Sequence, residues 1–336
     1  MKYKLLMWMT LLHHTLSAQV KTNLIYDSWV ATHITYKDGA ELPDDNPIKY
    51  NFTKYTFTSP NKINISFAYA EKGTPYLFEI AGNLLTLKTE AGWAMNTLRI
   101  EELTPEKLVM LQGGINGFDD PSAVKYEFKR ETDYQVALLL TANDIYSVAG
   151  SDTIYRESPK IYAAFKGDSF QSFLTESMGS SSGGSKSGRI LTSFLVSDEG
   201  VADSLTILES LGAQYDKAYT RAFYKAKNKW NAAQLNGKKV KVRMMQEIRY
   251  FTSDMMLPAY SYTRDADAAF KEQKYELALY YFDKALNRVS TDKENLYKRG
   301  ICKQMLGNQP GACEDWQMVK KLGGSTVDTL LAKYCK

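Results

Sequence analysis

Two hydrophobic rhythms run along the chain, and the change between them divides it. Up to about residue 132, apolar side chains recur at every second position, as at Ile63, Ile65, Phe67 and Tyr69 and at Tyr50 and Phe52. A period of two puts one face of a strand on a core. Short apolar runs such as Leu85-Thr86-Leu87, Leu98-Arg99-Ile100 and Leu108 to Leu111 lie between turn signals. Those signals are Asp38-Gly39, Ser59-Pro60-Asn61, Gly82-Asn83, Gly92, Gly113-Gly114 and Asp119-Asp120-Pro121. Regular strands and turns over 22–132 predict a small antiparallel β-barrel, because closing the meander removes exposed strand edges.

Residues 133–156 read as a connector. Val136 to Leu140 and Ile145 to Val148 are apolar and read as a strand and a short helix, in an ambiguous pattern. Pro159 to Gly167 is extended, and Phe170, Phe173 and Leu174 share one face of a helix. A Ser- and Gly-rich loop, Met178 to Gly188, then leads into the stretch around which the chain is organised. Ile190, Thr192, Phe194 and Val196 alternate with Leu191, Ser193 and Leu195, and Asp198-Glu199-Gly200 supplies a turn. Leu205, Ile207 and Leu208 continue in a second strand. From Tyr215 a helix groups Ala218, Tyr219, Ala222, Phe223 and Ala226 on one side. After Trp230 and the turn Asn236-Gly237, a long last strand alternates Val240, Val242, Met244 and Gln246 with Lys239, Lys241 and Arg243. Residues 157–252 thus predict an α/β sheet-and-helix domain.

Beyond residue 259 the pattern is helical and repeats. Ala266, Ala278, Phe282 and Ala285 recur as Gly300, Ala312, Trp316 and Val319, each offset by 34 positions. Small residues let paired helices approach, and Phe282 and Trp316 fill the gap. Ser325-Thr326 is expected to cap a final helix ending at Tyr334. The whole chain reads as a multidomain α+β protein: a barrel, a sheet-and-helix domain, then α-helical hairpins.

Composition narrows the function. Lys and Arg number 42 against 38 Asp and Glu, and the net charge of +4 is scattered. No basic stripe is present to displace counterions from phosphates, so nucleic acid is not an expected partner. Lys2 and Lys4 precede a short apolar core, Leu5 to Leu12, and Ser17-Ala18 precedes Gln19. This is the pattern of a cleavable export signal over 1–18, with Leu16 larger than usual for the −3 position. The core is about half as long as a bilayer span requires, and no later segment is apolar enough for stable membrane insertion. The expected product is a soluble protein of the periplasm or cell envelope.

The three cysteines, Cys302, Cys313 and Cys335, sit near the end of the chain. In an oxidising compartment, Cys313 with Cys335 is preferred to Cys302 with Cys313, and three unpaired thiols remain the alternative. No catalytic constellation stands out. His13 and His14 leave with the signal, so His33 has no second imidazole for a metal site. Asp44-Asp45 and Asp119-Asp120 are turn acids. Gly184-Ser185-Lys186-Ser187 lacks the Gly before Lys that a phosphate loop requires. No enzyme activity, cofactor or metal is expected.

Three resemblances add to this reading. Tyr26-Asp27-Ser28-Trp29-Val30, Gly82 to Leu87 and Ile100 to Val109 resemble motifs of lipocalin-like domains in exported bacterial proteins, with Asp27 where that family prefers Gly. The resemblance implies that Trp29 either plugs the barrel floor or lines a cavity for one small apolar ligand. Gly188, Phe194, Val196, Gly200, Val201, Trp230, Asn236, Gly237, Lys238 and Val240 follow the spacing of the TonB C-terminal domain. Pro159 to Leu174 resembles that family's lead-in, with Lys166-Gly167 for Gly-Gly. An energy transducer of that family carries a membrane anchor and a Pro-rich spacer, where this chain has an export-type signal and a β domain. The resemblance implies a short sheet whose edge accepts an extended peptide as an added strand. The expected edge is Lys239 to Ile248, with Lys239, Lys241, Val242 and Arg243 as its partner-binding residues. The same cations also suit an edge protected against aggregation. Finally, the 34-residue period, with Tyr297-Lys298-Arg299-Gly300 through Trp316, resembles the tetratricopeptide repeat. Together these imply a non-enzymatic envelope protein that binds peptide or protein partners. The alternative is a carrier with an apolar ligand in the barrel.

Overall fold

The computed structural model of the chain describes residues 22–43, 46–179, 188–250 and 262–335. The expected export signal lies outside them, as do most of the Ser- and Gly-rich loop and the turn acids Asp44-Asp45.

Alternation does close a barrel. Its strands are β1 (Ser28–Tyr36), β2 (Lys54–Thr58), β3 (Lys62–Ser66), β4 (Thr74–Ala81), β5 (Leu84–Lys88), β6 (Ala94–Leu103), β7 (Lys107–Gln112) and β8 (Val124–Arg130). Each pairs antiparallel with the next, and β8 returns to β1. The inward residues, among them Phe57, Ile63, Phe78, Leu85, Leu98, Ile100, Leu108, Met110 and Phe128, form one buried cluster. The pattern overran its strands in two places. Phe67 and Tyr69 lie beyond the end of β3, and Tyr50 and Phe52 precede β2. Tyr69 instead meets Phe52, with ring centroids 5.7 Å apart, and Tyr162 of the next unit, at 5.5 Å.

Trp29 packs into the barrel's buried cluster. It is fully buried, its indole N–H donates to the Ile25 carbonyl at 2.9 Å, and the Arg130 guanidinium lies 4.9 Å from its ring centroid. Asp27, which stands where a Gly was preferred, pairs with that same Arg130.

Past the barrel come α1 (Glu131–Ala137), β9 (Ile145–Ala149) and β10 (Asp152–Arg156). The ambiguous connector is therefore a helix and then a hairpin. Next are β11 (Ala164–Phe165), α2 (Phe170–Met178), β12 (Gly188–Val196), β13 (Ala202–Glu209), α3 (Ala213–Lys225), β14 (Trp230–Asn231), β15 (Ala233–Leu235) and β16 (Lys238–Tyr250). The main sheet runs β13-β12-β16-β10-β9, with β15 paired to β16. One face packs on α2 and α3 through Phe170, Leu174, Phe194, Tyr219, Phe223, Trp230 and Met244. The Asn236-Gly237 turn joins β15 to β16 with both residues at positive φ, 50° and 76°. Those values suit a two-residue hairpin, which favours Asn-Gly.

The last unit comprises α4 (Tyr262–Lys271), α5 (Tyr275–Arg288), α6 (Lys293–Met305), α7 (Gln309–Lys321) and α8 (Asp328–Tyr334). The recurring positions are its packing points: Ala266, Ala278, Phe282, Gly300, Ala312, Trp316 and Val319 are all buried. No side-chain cap starts α8, because Val327 occupies the N-cap and Ser325 contributes only its carbonyl. Cys313 and Cys335 are bonded across α7 and α8, and Cys302 is a buried free thiol. Burial pushes the Cys302 thiol up to about 12, so it is inert.

Candidate functional site

The expected edge strand is an inner strand. On one side, β16 pairs antiparallel with β12 from Val242 to Tyr250. At the start of the strand β15 pairs with Lys238 to Val240, and on the side away from β12, β10 runs parallel beside Lys241, Val242 and Arg243. The residues proposed for partner binding are therefore occupied by the chain itself. Lys239 sits in the β15–β16 hairpin, opposite Gln234. Lys241 reaches Asp152 on β10 at 2.9 Å. Val242 is fully buried against the sheet's helices. Arg243 donates to both Glu276 oxygens at 3.0 and 3.2 Å, to Ser193 at 2.7 Å and to the Ser204 carbonyl at 3.0 Å. It ties the sheet to α5 and is not an exposed cation. The reason is topological. A hairpin from the connector, β9–β10, completes the sheet on the side where an edge was expected.

The covering is partial. The β10 ladder stops at Arg243, whose carbonyl accepts the Glu157 N–H at 3.0 Å. The next backbone donor on that side, Met245 N–H, goes to the Glu157 side chain at 2.9 Å. A carboxylate thus takes the place of a continuing strand. From Met244 to Tyr250, β16 pairs with β12, and no strand of the described residues lies along its other side. Alternation turns the N–H groups of Met245, Glu247 and Arg249 to that other side.

Glu157 is the residue that sequence reasoning missed. Burial pushes its carboxyl up to about 8, against the weaker opposing effects of the Met245 N–H, Arg156 and Lys284. Its neighbourhood is a junction of all three units. Lys54 on the barrel pairs with Glu131 on α1 at 3.0 Å, both largely buried. Ala70, on the turn after β3, packs against the sheet's core, and the rings of Tyr69 and Tyr162 lie 5.5 Å apart. Nothing local in the residues around Glu157 announces this, because its burial comes from segments far away in the chain.

Ionic contacts hold the helices on the sheet. Arg156 on β10 pairs with Asp283 on α5, and Arg299 on α6 reaches Asp283 at 3.1 Å. Asp315 on α7 receives Arg299 and Lys303, each at 2.6 Å. Burial opposes the Asp283 charge, yet Arg156 and Arg299 hold its carboxyl below the usual range. Burial, then repulsion from Arg299, brings Lys303 down to about 8. Asn143 and Ala142 in the connector bond to Glu314 at 3.0 and 3.1 Å. The connector is thus bound to sheet and helices together.

Comparison with known proteins bears on one unit. The family described as Gram-negative bacterial TonB protein C-terminal matches residues 184–252. No curated protein matches the chain. The matched stretch contains β12, β13, α3, β14, β15 and β16, the strand, strand, helix, strand order of the central domain. That family is a non-enzymatic envelope domain linked to TonB-type transport or interactions, so the match implies a protein of the periplasm or cell envelope. No helix among the described residues is long and apolar enough to cross a membrane.

Proposed function

We propose that this chain is an exported, non-enzymatic scaffold of the cell envelope. It binds peptide or protein partners through its central sheet and its C-terminal helices, in the setting of outer-membrane transport. The domains divide as an export signal (1–18), a lipocalin-like barrel (22–132), a connector (133–156), a TonB C-terminal-like domain (157–252) and two tetratricopeptide-like repeats with a closing helix (259–336). One observation carries the reading. The inner strand β16 outruns its cover, so an extended segment entering beyond Glu157 can pair with Met244 to Tyr250 in line with β10. Within the expected edge, Lys239 to Ile248, the docking stretch is therefore the part from Met244 onward, and not the residues Lys239, Lys241, Val242 and Arg243.

Recovery of partners from an envelope extract tests this with paired variants. Arg249→Pro removes a backbone N–H on the accepting side, whereas Arg249→Ala keeps it. Loss of partners with the first and retention with the second is the expected result. Equal recovery with both variants rules out strand addition.

A further inference from the structure

A cavity of about 460 Å³ opens where the barrel meets the sheet, beside the unaccompanied half of β16. Its walls combine aromatic rings with carboxyls. Phe52 and Phe67 come from the barrel, and Phe67 is 68% exposed at the rim. Trp230 comes from the sheet domain. Glu71 on the barrel turn and Glu157 after β10 also line it, with Lys284 on α5.

We propose that this cavity binds a protonated amine or guanidinium on an apolar body, presented as a lysine or arginine side chain of an extended peptide. Aromatic faces attract cations, most strongly where water is excluded. Glu157 supplies a carboxyl whose one hydrogen bond among the described residues comes from the Met245 N–H to Oε1, which leaves Oε2 for a ligand. On the same wall, the buried indole N–H of Trp230 has no partner among the described residues, and a peptide carbonyl would satisfy it. The charged and titratable groups around Glu157 are Arg156 on its own segment, Tyr69 and Glu71 on the barrel turn, Glu247 on β16 and Lys284 on α5. Of these, Arg156 is held by Asp283, and Glu247 accepts the Tyr280 hydroxyl at 2.9 Å. Lys284 lies 5.4 Å from the Tyr280 ring centroid. Glu71 accepts the Ser169 hydroxyl at 3.3 Å, and burial raises its carboxyl. A cation entering here relieves two desolvated acids at once.

The peptide form of the ligand rests on the strand-addition reading above; the charge chemistry does not. Calorimetric titration with three probes separates them. The first is a capped hexapeptide of alternating Val and Thr with one central lysine, the second its twin with norleucine, and the third is 2-phenylethylamine. The lysine peptide is expected to bind at least about tenfold more tightly than its twin, and Glu157→Gln to erase that preference. The preference should grow about tenfold or more from pH 6.5 to 8.5, as Glu157 ionises while lysine stays charged. Phe67→Ala, at an exposed position, should weaken the lysine peptide severalfold without altering the fold. Equal binding of the two peptides, unchanged by Glu157→Gln, overturns the cation site and leaves strand addition standing. Glu157-dependent binding of 2-phenylethylamine alone keeps the cation site, makes a free amine its ligand, and removes the peptide. Binding of none of the three overturns both.

Discussion

Replacing Glu157 with glutamine should stabilise the protein at alkaline pH and leave it nearly unchanged at acid pH. The glutamine carbonyl still accepts the Met245 N–H, so the substitution removes the ionisation and little else. The Glu157 carboxyl rises from an ordinary 4.5 to about 8 because burial disfavours its charge. Between those values the folded chain holds a proton that the unfolded chain has released. Stability therefore falls as pH rises through that window and is level on either side. At about 1.4 kcal/mol per unit, the window corresponds to at most about 5 kcal/mol. Glu157 is only part-buried, and residual hydration lowers the working figure to about 2–3 kcal/mol. Urea unfolding followed by tryptophan fluorescence at pH 5 and pH 8.5 reads the difference. Trp230, which lines the same cavity, is a buried reporter. A gap between the two proteins that is the same at both pH values would refute the burial argument. So would a gap that is smaller at pH 8.5 than at pH 5.

Three further outcomes follow from the helical unit. Asp315→Ala leaves Arg299 and Lys303 buried without their shared carboxylate, and should cost about 3–5 kcal/mol in thermal or urea unfolding. Gly300→Ala puts a methyl group against the indole of Trp316, so about 1–3 kcal/mol is expected to be lost, with a change in near-UV dichroism. Replacing both Cys313 and Cys335 with alanine opens a loop of 22 residues and should lower the stability of α7 and α8 by about 3 kcal/mol. Amide exchange in those two helices would report it.

What could be read from the residues follows a physical line. The barrel was legible because an alternating pattern allows one pairing register with its apolar face inward. The helical hairpins were legible because small residues (Ala266 and Ala278, then Gly300 and Ala312) and the large Phe282 and Trp316 recur at one offset, the pattern of closely packed helix pairs. The Asn236-Gly237 turn and the strands on each side of α3 were local signals as well. The covering of the first part of the expected edge was not legible. β10 consists of Asp152 to Arg156, a five-residue strand with no strong pattern, and it meets β16 in parallel across more than 80 positions of sequence. Parallel neighbours leave no turn between them to mark the pairing. Lys241 and Arg243 looked like edge guards because charge on a strand usually means exposure. Here Asp152 and Glu276 answer those charges from distant segments. Glu157 gave no signal because a carboxyl acquires an unusual environment only when other parts of the chain close over it.

The central claim is that the second half of β16 is where a partner strand adds. Hydrogen exchange measured residue by residue, with and without the lysine hexapeptide, tests it most directly. The account predicts new protection at the amides of Glu247 and Arg249, with no change at Val242 and Gln246, which already face β12. Protection confined to the helices from α4 to α8, or no change anywhere along β16, would contradict it.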